Sequence, residues 1–97
     1  MRWVAIFENP PGMAPVQERY LQDHLAYLRR HRDEIVLAGG LRHEPGQLPH
    51  GGLWVLEVAT RERAVELAEN DPYFIHGQRR YSLSLWGKAL PDVQVQL

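Results

Sequence analysis

The chain contains no cysteine. That absence removes disulfides, thiolate nucleophiles, cysteine-held zinc and iron–sulfur clusters together, and it is compatible with a reducing, cytoplasmic setting. A long hydrophobic run is missing too. The apolar opening from Met1 to Phe7 breaks at Glu8-Asn9-Pro10-Pro11, far too early for a signal-peptide core or a membrane span. There is no excess of one charge: the formal net charge is −1, so the chain as a whole has no pull towards nucleic acid or an anionic membrane, and neither is expected as a partner. The phosphate-cradling G-x-G-x-x-G and Walker A patterns, the H-E-x-x-H zinc helix and the G-x-S-x-G nucleophile turn are absent as well.

What is present is ordinary for a folded protein, with 44% hydrophobic and 24% charged residues, away from the profile of a disordered chain. Ninety-seven residues suit one domain spanning 1–97. A core this small would gain from an added apolar contact such as a subunit interface.

Trp3, Ala5 and Phe7 interleave with Arg2, Val4, Ile6 and Glu8, predicting a first strand with one strongly apolar face and a second partly so. Three prolines and a glycine between Asn9 and Pro15 stop it. The period then changes: Val16, Tyr20, Leu21, His24, Leu25, Tyr27 and Leu28 recur at helical spacing, while Gln17, Glu18, Arg19, Gln22, Asp23, Arg29 and Arg30 fill most of the rest. Glu18 in the first turn and Arg29, Arg30, His31 and Arg32 at the end match the helix dipole. Ile35-Val36-Leu37-Ala38 predicts a second strand, extended to Leu41 if Gly39-Gly40 forms a bulge. A turn-rich stretch leads to a third strand over residues 53–58. Thr60 is placed to cap a second helix that ends near Asn70, because Pro72 restricts Asp71 before it. Residues 72–77 read as a short apolar turn. Tyr81, Leu83 and Leu85 alternate with Arg80, Ser82, Ser84 and Trp86 in a fourth strand, and an extended tail follows Pro91.

Two strand–helix–strand units in tandem point to an α+β, ferredoxin-like βαββαβ fold, an antiparallel sheet with both helices on one face. The other face would stay open in a monomer. Apolar residues on both faces of strands one and three favour a homodimer packed face to face over cover by loops and tail. The alternation of Val93, Val95 and Leu97 reads either as a strand at the subunit boundary or as a frayed end.

The candidate chemistry centres on His24. It falls one turn from Tyr20, Leu21 and Leu28, so an ionisable ring lies on the stripe that should face the sheet, and its nitrogens need partners. Asp71 supplies one if the two helices lie side by side. The pair then reads either as an acid–base device whose tautomer is set by the carboxylate, or as a satisfied core histidine beside an aspartate that caps the Pro72 turn. His43, Glu44 and His50 lack a third ligand on a rigid element, so no metal is expected, and turn geometry accounts for Gly39-Gly40 and Gly51-Gly52.

His24 with Leu25-Ala26-Tyr27-Leu28, Val36-Leu37-Ala38-Gly39-Gly40-Leu41, Gly52 entering Leu53-Trp54-Val55-Leu56-Glu57-Val58, and Glu69-Asn70-Asp71-Pro72-Tyr73 with Gly77 together resemble the YCII-related, or YciI-like, family over nearly the whole chain. The resemblance implies a ferredoxin-like subunit, a dimeric α+β barrel, and an active site with the helix-one histidine and the Asp-Pro aspartate, here His24 and Asp71. It also implies reactions such as dehydrochlorination of a chlorinated hydroxyhydroquinone or, across the wider superfamily, muconolactone isomerisation, neither of which needs a redox cofactor. The chain departs from the family pattern at Pro10-Pro11-Gly12 and at His31-Arg32-Asp33, where a glycine-containing turn is common.

The expected function is a cofactor-independent lyase or isomerase in which His24 and Asp71 work on a hydroxylated aromatic or lactone-like acid. Tyr73 is a candidate hydrogen-bond donor to substrate, and Arg79 or Arg80 a candidate holder of a carboxylate or phenolate. Packing for Tyr73 and a solvated strand end for the arginines are the alternatives. A noncatalytic protein that binds a small aromatic or unsaturated acid in the same cleft is the competing function.

Overall fold

The opening alternation forms strand β1, Arg2–Glu8, in the computed structural model, which describes residues 1–94. It is followed by α1 (Ala14–Arg30), β2 (Ile35–Leu41), β3 (Gly51–Glu57), α2 (Arg61–Glu69), α3 (Pro72–Gly77) and β4 (Arg80–Leu85). The strands make one sheet in the order β2-β3-β1-β4, and every neighbouring pair is antiparallel. Each strand–helix–strand half thus leaves a gap that a strand of the other half fills, which is the ferredoxin-like α+β arrangement. No helix among the described residues is long and apolar enough to cross a membrane. The tail's alternation runs through Val95 and Leu97, which lie outside the described residues.

The period-2 pattern of β1 sends Trp3, Ala5 and Phe7 into the core, and register places Leu56, Trp54 and Gly52 of β3 opposite them. Tyr27 of α1 and Ala64, Leu67 and Ala68 of α2 close over that side. Tyr27 ties the two helices together: its hydroxyl donates to the Leu67 carbonyl at 2.7 Å, and burial pushes its pKa up to about 12. Val4, Ile6, Leu53 and Val55 alternate onto the opposite face, where Ile6 is exposed.

Four local features differ from the sequence expectation. First, α1 begins at Ala14, with Pro15 in its opening positions where a missing N–H costs nothing, so Glu18 falls beyond the first turn. Second, residues 72–77 form the short helix α3 rather than an open turn. Third, β3 starts at Gly51 and ends at Glu57, so both glycines pair in the sheet. Fourth, the bulge in β2 falls at Val36, between Ile35 and Leu37, while Gly39 and Gly40 stay in register with Leu53 and Gly52. The extra residue puts both Ile35 and Ala38 on the helix side. Gly40 serves a close approach instead: a Cβ there would meet Pro49 Cγ at 2.7 Å.

The apolar stripe of α1 is only partly spent on the core. Leu21 and Leu25, expected to face the sheet, are 42% and 40% exposed, because that side of the helix stands off β2 and borders a cleft.

Candidate active site

The cleft, of about 530 Å³, lies between α1 and the β2–β3 edge, and the connection from Arg42 to Pro49 contributes to its wall. Pro49 anchors that wall. Its carbonyl accepts from Gln17 Nε2 at 2.9 Å and from Asn9 Nδ2 at 3.2 Å, and His50 N donates to the Leu41 carbonyl at 2.9 Å.

His24 comes from the middle of α1 and Asp71 from the residue that precedes α3. His24 Nδ1 is 2.6 Å from Asp71 Oδ1, and the Asp71 side chain is fully buried. Arg79 Nη1 donates to the other oxygen, Oδ2, at 3.2 Å. A carboxylate engaged by a guanidinium is an acceptor, so the proton of the neutral imidazole sits on Nδ1 and the lone pair on Nε2. Nε2 has no hydrogen-bond partner among the described residues, and the His24 side chain lines the cleft.

Asp71 is released for this role by its surroundings. A residue at a helix start ordinarily caps with its side-chain oxygen, but Asp71 makes no such bond. Its backbone carbonyl takes Phe74 N at 2.9 Å and Ile75 N at 3.0 Å, while Pro72 has no N–H to satisfy.

Tyr73 stacks on the imidazole, with ring centroids 3.9 Å apart and planes 8° from parallel, and its hydroxyl donates to the Gln17 carbonyl at 3.1 Å. Burial, and after it the charge of Asp71, pushes the Tyr73 phenol above its ordinary range, so it stays protonated. One turn away Tyr20 stacks on His76 at 3.8 Å, so α1 and α3 meet through two histidine–tyrosine pairs.

Arg79 is brought in by a backbone reversal. Gln78 ends α3 with φ of 53°, in the left-handed region, and the chain turns back so that the guanidinium lies 4.2 Å from the Phe7 ring centroid. Gly52 makes the room: a Cβ there would come within 3.0 Å of Arg79 Nη2. Burial lowers the Arg79 pKa, and the charge of Asp71 opposes the fall.

Four of the five residues singled out from the sequence, His24, Asp71, Tyr73 and Arg79, therefore meet in one cluster at the cleft. Arg80 does not join them. It is exposed at the start of β4 and pairs with Glu8 at 3.0 Å, on the side of the strand opposite Tyr81 and Leu83. Sequence reasoning missed Gln17, which it counted only among the polar residues of α1 although it stands two turns before His24 on the same face; it is buried. Asn9 and Gly52 carried no comparable signal. His43 and His50 stack at 4.3 Å, and among the described residues no group of three or more His, Asp or Glu side chains is arranged to hold a metal ion.

The sequence profile of the YCII-related domain matches residues 1–86. No curated protein matches the chain. Among solved structures, the 5-chloro-2-hydroxyhydroquinone dehydrochlorinase TftG from Burkholderia phenoliruptrix AC1100, in complex with 2,5-dihydroxybenzoquinone, shares the fold with a TM-score of 0.80. It is 21% identical, over 90% of this chain and 94% of that one.

Proposed function

The chain belongs to the YCII-related family, and from that premise we propose that it is a small-molecule lyase or isomerase whose base is His24. The observation that carries the reading is the 2.6 Å contact from His24 Nδ1 to a fully buried Asp71, which leaves Nε2 without a partner among the described residues on a side chain that lines the cleft. The substrate class is a hydroxylated aromatic or lactone-like acid. That choice is supported by a mostly apolar cleft with convergent polar groups at one place, and by the fold shared with a dehydrochlorinase that binds a dihydroxybenzoquinone.

In this mechanism Nε2 takes a proton from the substrate. In an elimination, the electrons of the broken bond form the new double bond while the leaving group departs with its own pair. In an isomerisation, the imidazolium returns the proton to a different carbon. Asp71 fixes the ring and stabilises the imidazolium, acting as an orienting partner rather than as the base. Arg79, held against Asp71 through Nη1, offers Nη2 to the oxygen on which negative charge develops.

A second copy is assigned to the sheet face that carries Val4, Ile6, Leu53 and Val55, which lies away from the helices and is apolar at its centre. Light scattering at micromolar concentration should return twice the chain mass; a monomer mass overturns that assignment.

The test of the chemistry is a spectroscopic and proton-release screen with chlorinated hydroquinones, hydroxybenzoates and unsaturated lactones, run on the parent and on His24→Gln. Conversion by the parent that falls at least a hundredfold in a folded His24→Gln variant is expected, in line with the roughly 10²–10⁴ contributed by a general base. Saturable binding with no conversion of any member would assign the cleft to a noncatalytic binding protein. Equal turnover by the two proteins would remove His24 from the mechanism.

A further inference from the structure

We propose that the ligand of this cleft has two parts, a polar ring at His24 and an uncharged hydrocarbon arm that lies along Leu21, Leu25 and Leu28. The inference rests on the reading of His24 as the reactive group and extends it to the rest of the ligand.

Size is the first argument. A cavity of about 150 Å³ is enough for one benzene ring, and the cleft is about 530 Å³. A single substituted ring seated at His24 leaves most of the space empty.

The shape of α1 says where the remainder goes. At 3.6 residues per turn, Leu28, Leu21 and Leu25 follow His24 around the helix by about 40°, 60° and 100°. The apolar wall therefore begins where the imidazole ends and turns steadily away from Asp71. Along the axis, Leu21 to Leu28 covers roughly 10 Å at 1.5 Å per residue.

These leucines are not explained by the core. On α1 the core takes Tyr27 and touches Leu28 at its edge, while Leu21 and Leu25 stay 42% and 40% exposed. They border a concavity rather than a flat face, with Ala38, Trp54 and Leu48 also lining it. Leu48 is itself 56% exposed on the 42–50 connection, which the Gln17 and Asn9 bonds to Pro49 hold in place. Apolar side chains that frame a cleft from both sides, next to a buried cluster of polar groups, fit a ligand that is polar at one end and hydrocarbon at the other.

The experiment is calorimetric titration of the whole protein with 2-alkylhydroquinones from methyl to hexyl. Each methylene moved from water to an apolar wall should tighten binding by about fourfold, the ratio that corresponds to roughly 0.8 kcal/mol. The Leu21→Gln/Leu25→Gln double variant should flatten that dependence, and because both side chains are substantially exposed it should keep the parent's circular dichroism and melting temperature. An affinity that does not change with chain length, or no measurable binding by any member, overturns the proposal; so does an undiminished dependence in the double variant. His24→Gln separates this inference from the catalytic one. It should keep the chain-length dependence with the alkylhydroquinones while conversion of the substrate found in the screen is lost. Conversion that survives in it would sink the base assignment and leave the arm standing.

Discussion

Asp71 Oδ1 meets His24 Nδ1 at 2.6 Å while its Oδ2 accepts from Arg79 at 3.2 Å, so the carboxylate that orients the imidazole is itself held in place by a second buried group. The ion pair is almost wholly buried: Arg79 is 4% exposed, where it borders the cleft, and Asp71 not at all.

Removing one member of such a pair leaves the other charged and stranded. Arg79→Met should lower stability by about 3–5 kcal/mol, read as a fall in urea midpoint at unchanged slope. The double variant Arg79→Met/Asp71→Asn should recover part of that loss, since neither charge then remains. If the single variant unfolds like the parent, the pair does not carry the energy its burial implies.

Gln17 and Pro49 offer a test of the cleft wall. Gln17→Leu keeps the size and apolar contacts of the side chain but deletes the donor to the Pro49 carbonyl, leaving only Asn9 on it. Hydrogen exchange at the His50 amide, which donates to the Leu41 carbonyl beside Pro49, should speed up by several-fold while exchange at the β1–β3 ladder stays unchanged. A protection pattern identical to the parent would show that Gln17 does not restrain the connection.

Gln78 adopts φ of 53°, a conformation that costs a side-chain-bearing residue roughly 1–2 kcal/mol. Gln78→Gly relieves that cost and adds chain entropy to the unfolded state, so the net gain should be a few tenths to about 1 kcal/mol. Gln78→Val should destabilise, because a β-branched residue tolerates the left-handed region worst. Thermal unfolding of the two variants checks the opposite signs.

Glu34 contributes to the acid limb of stability. Hydrogen bonds from Arg63 Nη2 at 2.7 Å and Nε at 2.9 Å hold its carboxyl below the usual glutamate range. A depressed folded pKa means that the unfolded chain binds more protons there. The contribution is therefore complete above the unfolded value of roughly 4.3 and is lost as pH falls through the lower folded value. Both side chains are about one-third exposed, so the effect is modest. Glu34→Gln should flatten the fall in melting temperature below about pH 4.5 without changing its slope between pH 6 and 8.

Much of this was legible because it depends on period. The spacing of His24 among Tyr20, Leu21 and Leu28 fixes its face, and Pro72 fixes where the second helix must stop, so the juxtaposition with Asp71 follows once two helices share one side of a sheet. What depends on a single residue's phase or on a long-range approach was not legible. Arg80 falls on the outward side of the β4 alternation in the sequence itself, whereas Arg79 precedes the strand and is brought inward after the left-handed turn at Gln78. A bulge at Val36 and a bulge at Gly39-Gly40 produce similar local patterns, and the use found for Gly40, the close approach of Pro49, comes from another part of the chain. Gln17 is one polar residue among several on α1, and its burial shows only through its position on the helix, on the face of His24.

The way α3 begins gives proline an indirect reach. The Asp71 carbonyl takes the Phe74 and Ile75 amides and its carboxylate makes no capping bond, so both carboxylate oxygens are spent on His24 and Arg79. Pro72 holds the residue before it extended, and Asp71 accordingly has ψ of 134°. Aspartate and proline thus act as one unit, the ring setting the backbone from which the carboxylate is presented, so that the posture of His24 depends on a residue it never touches.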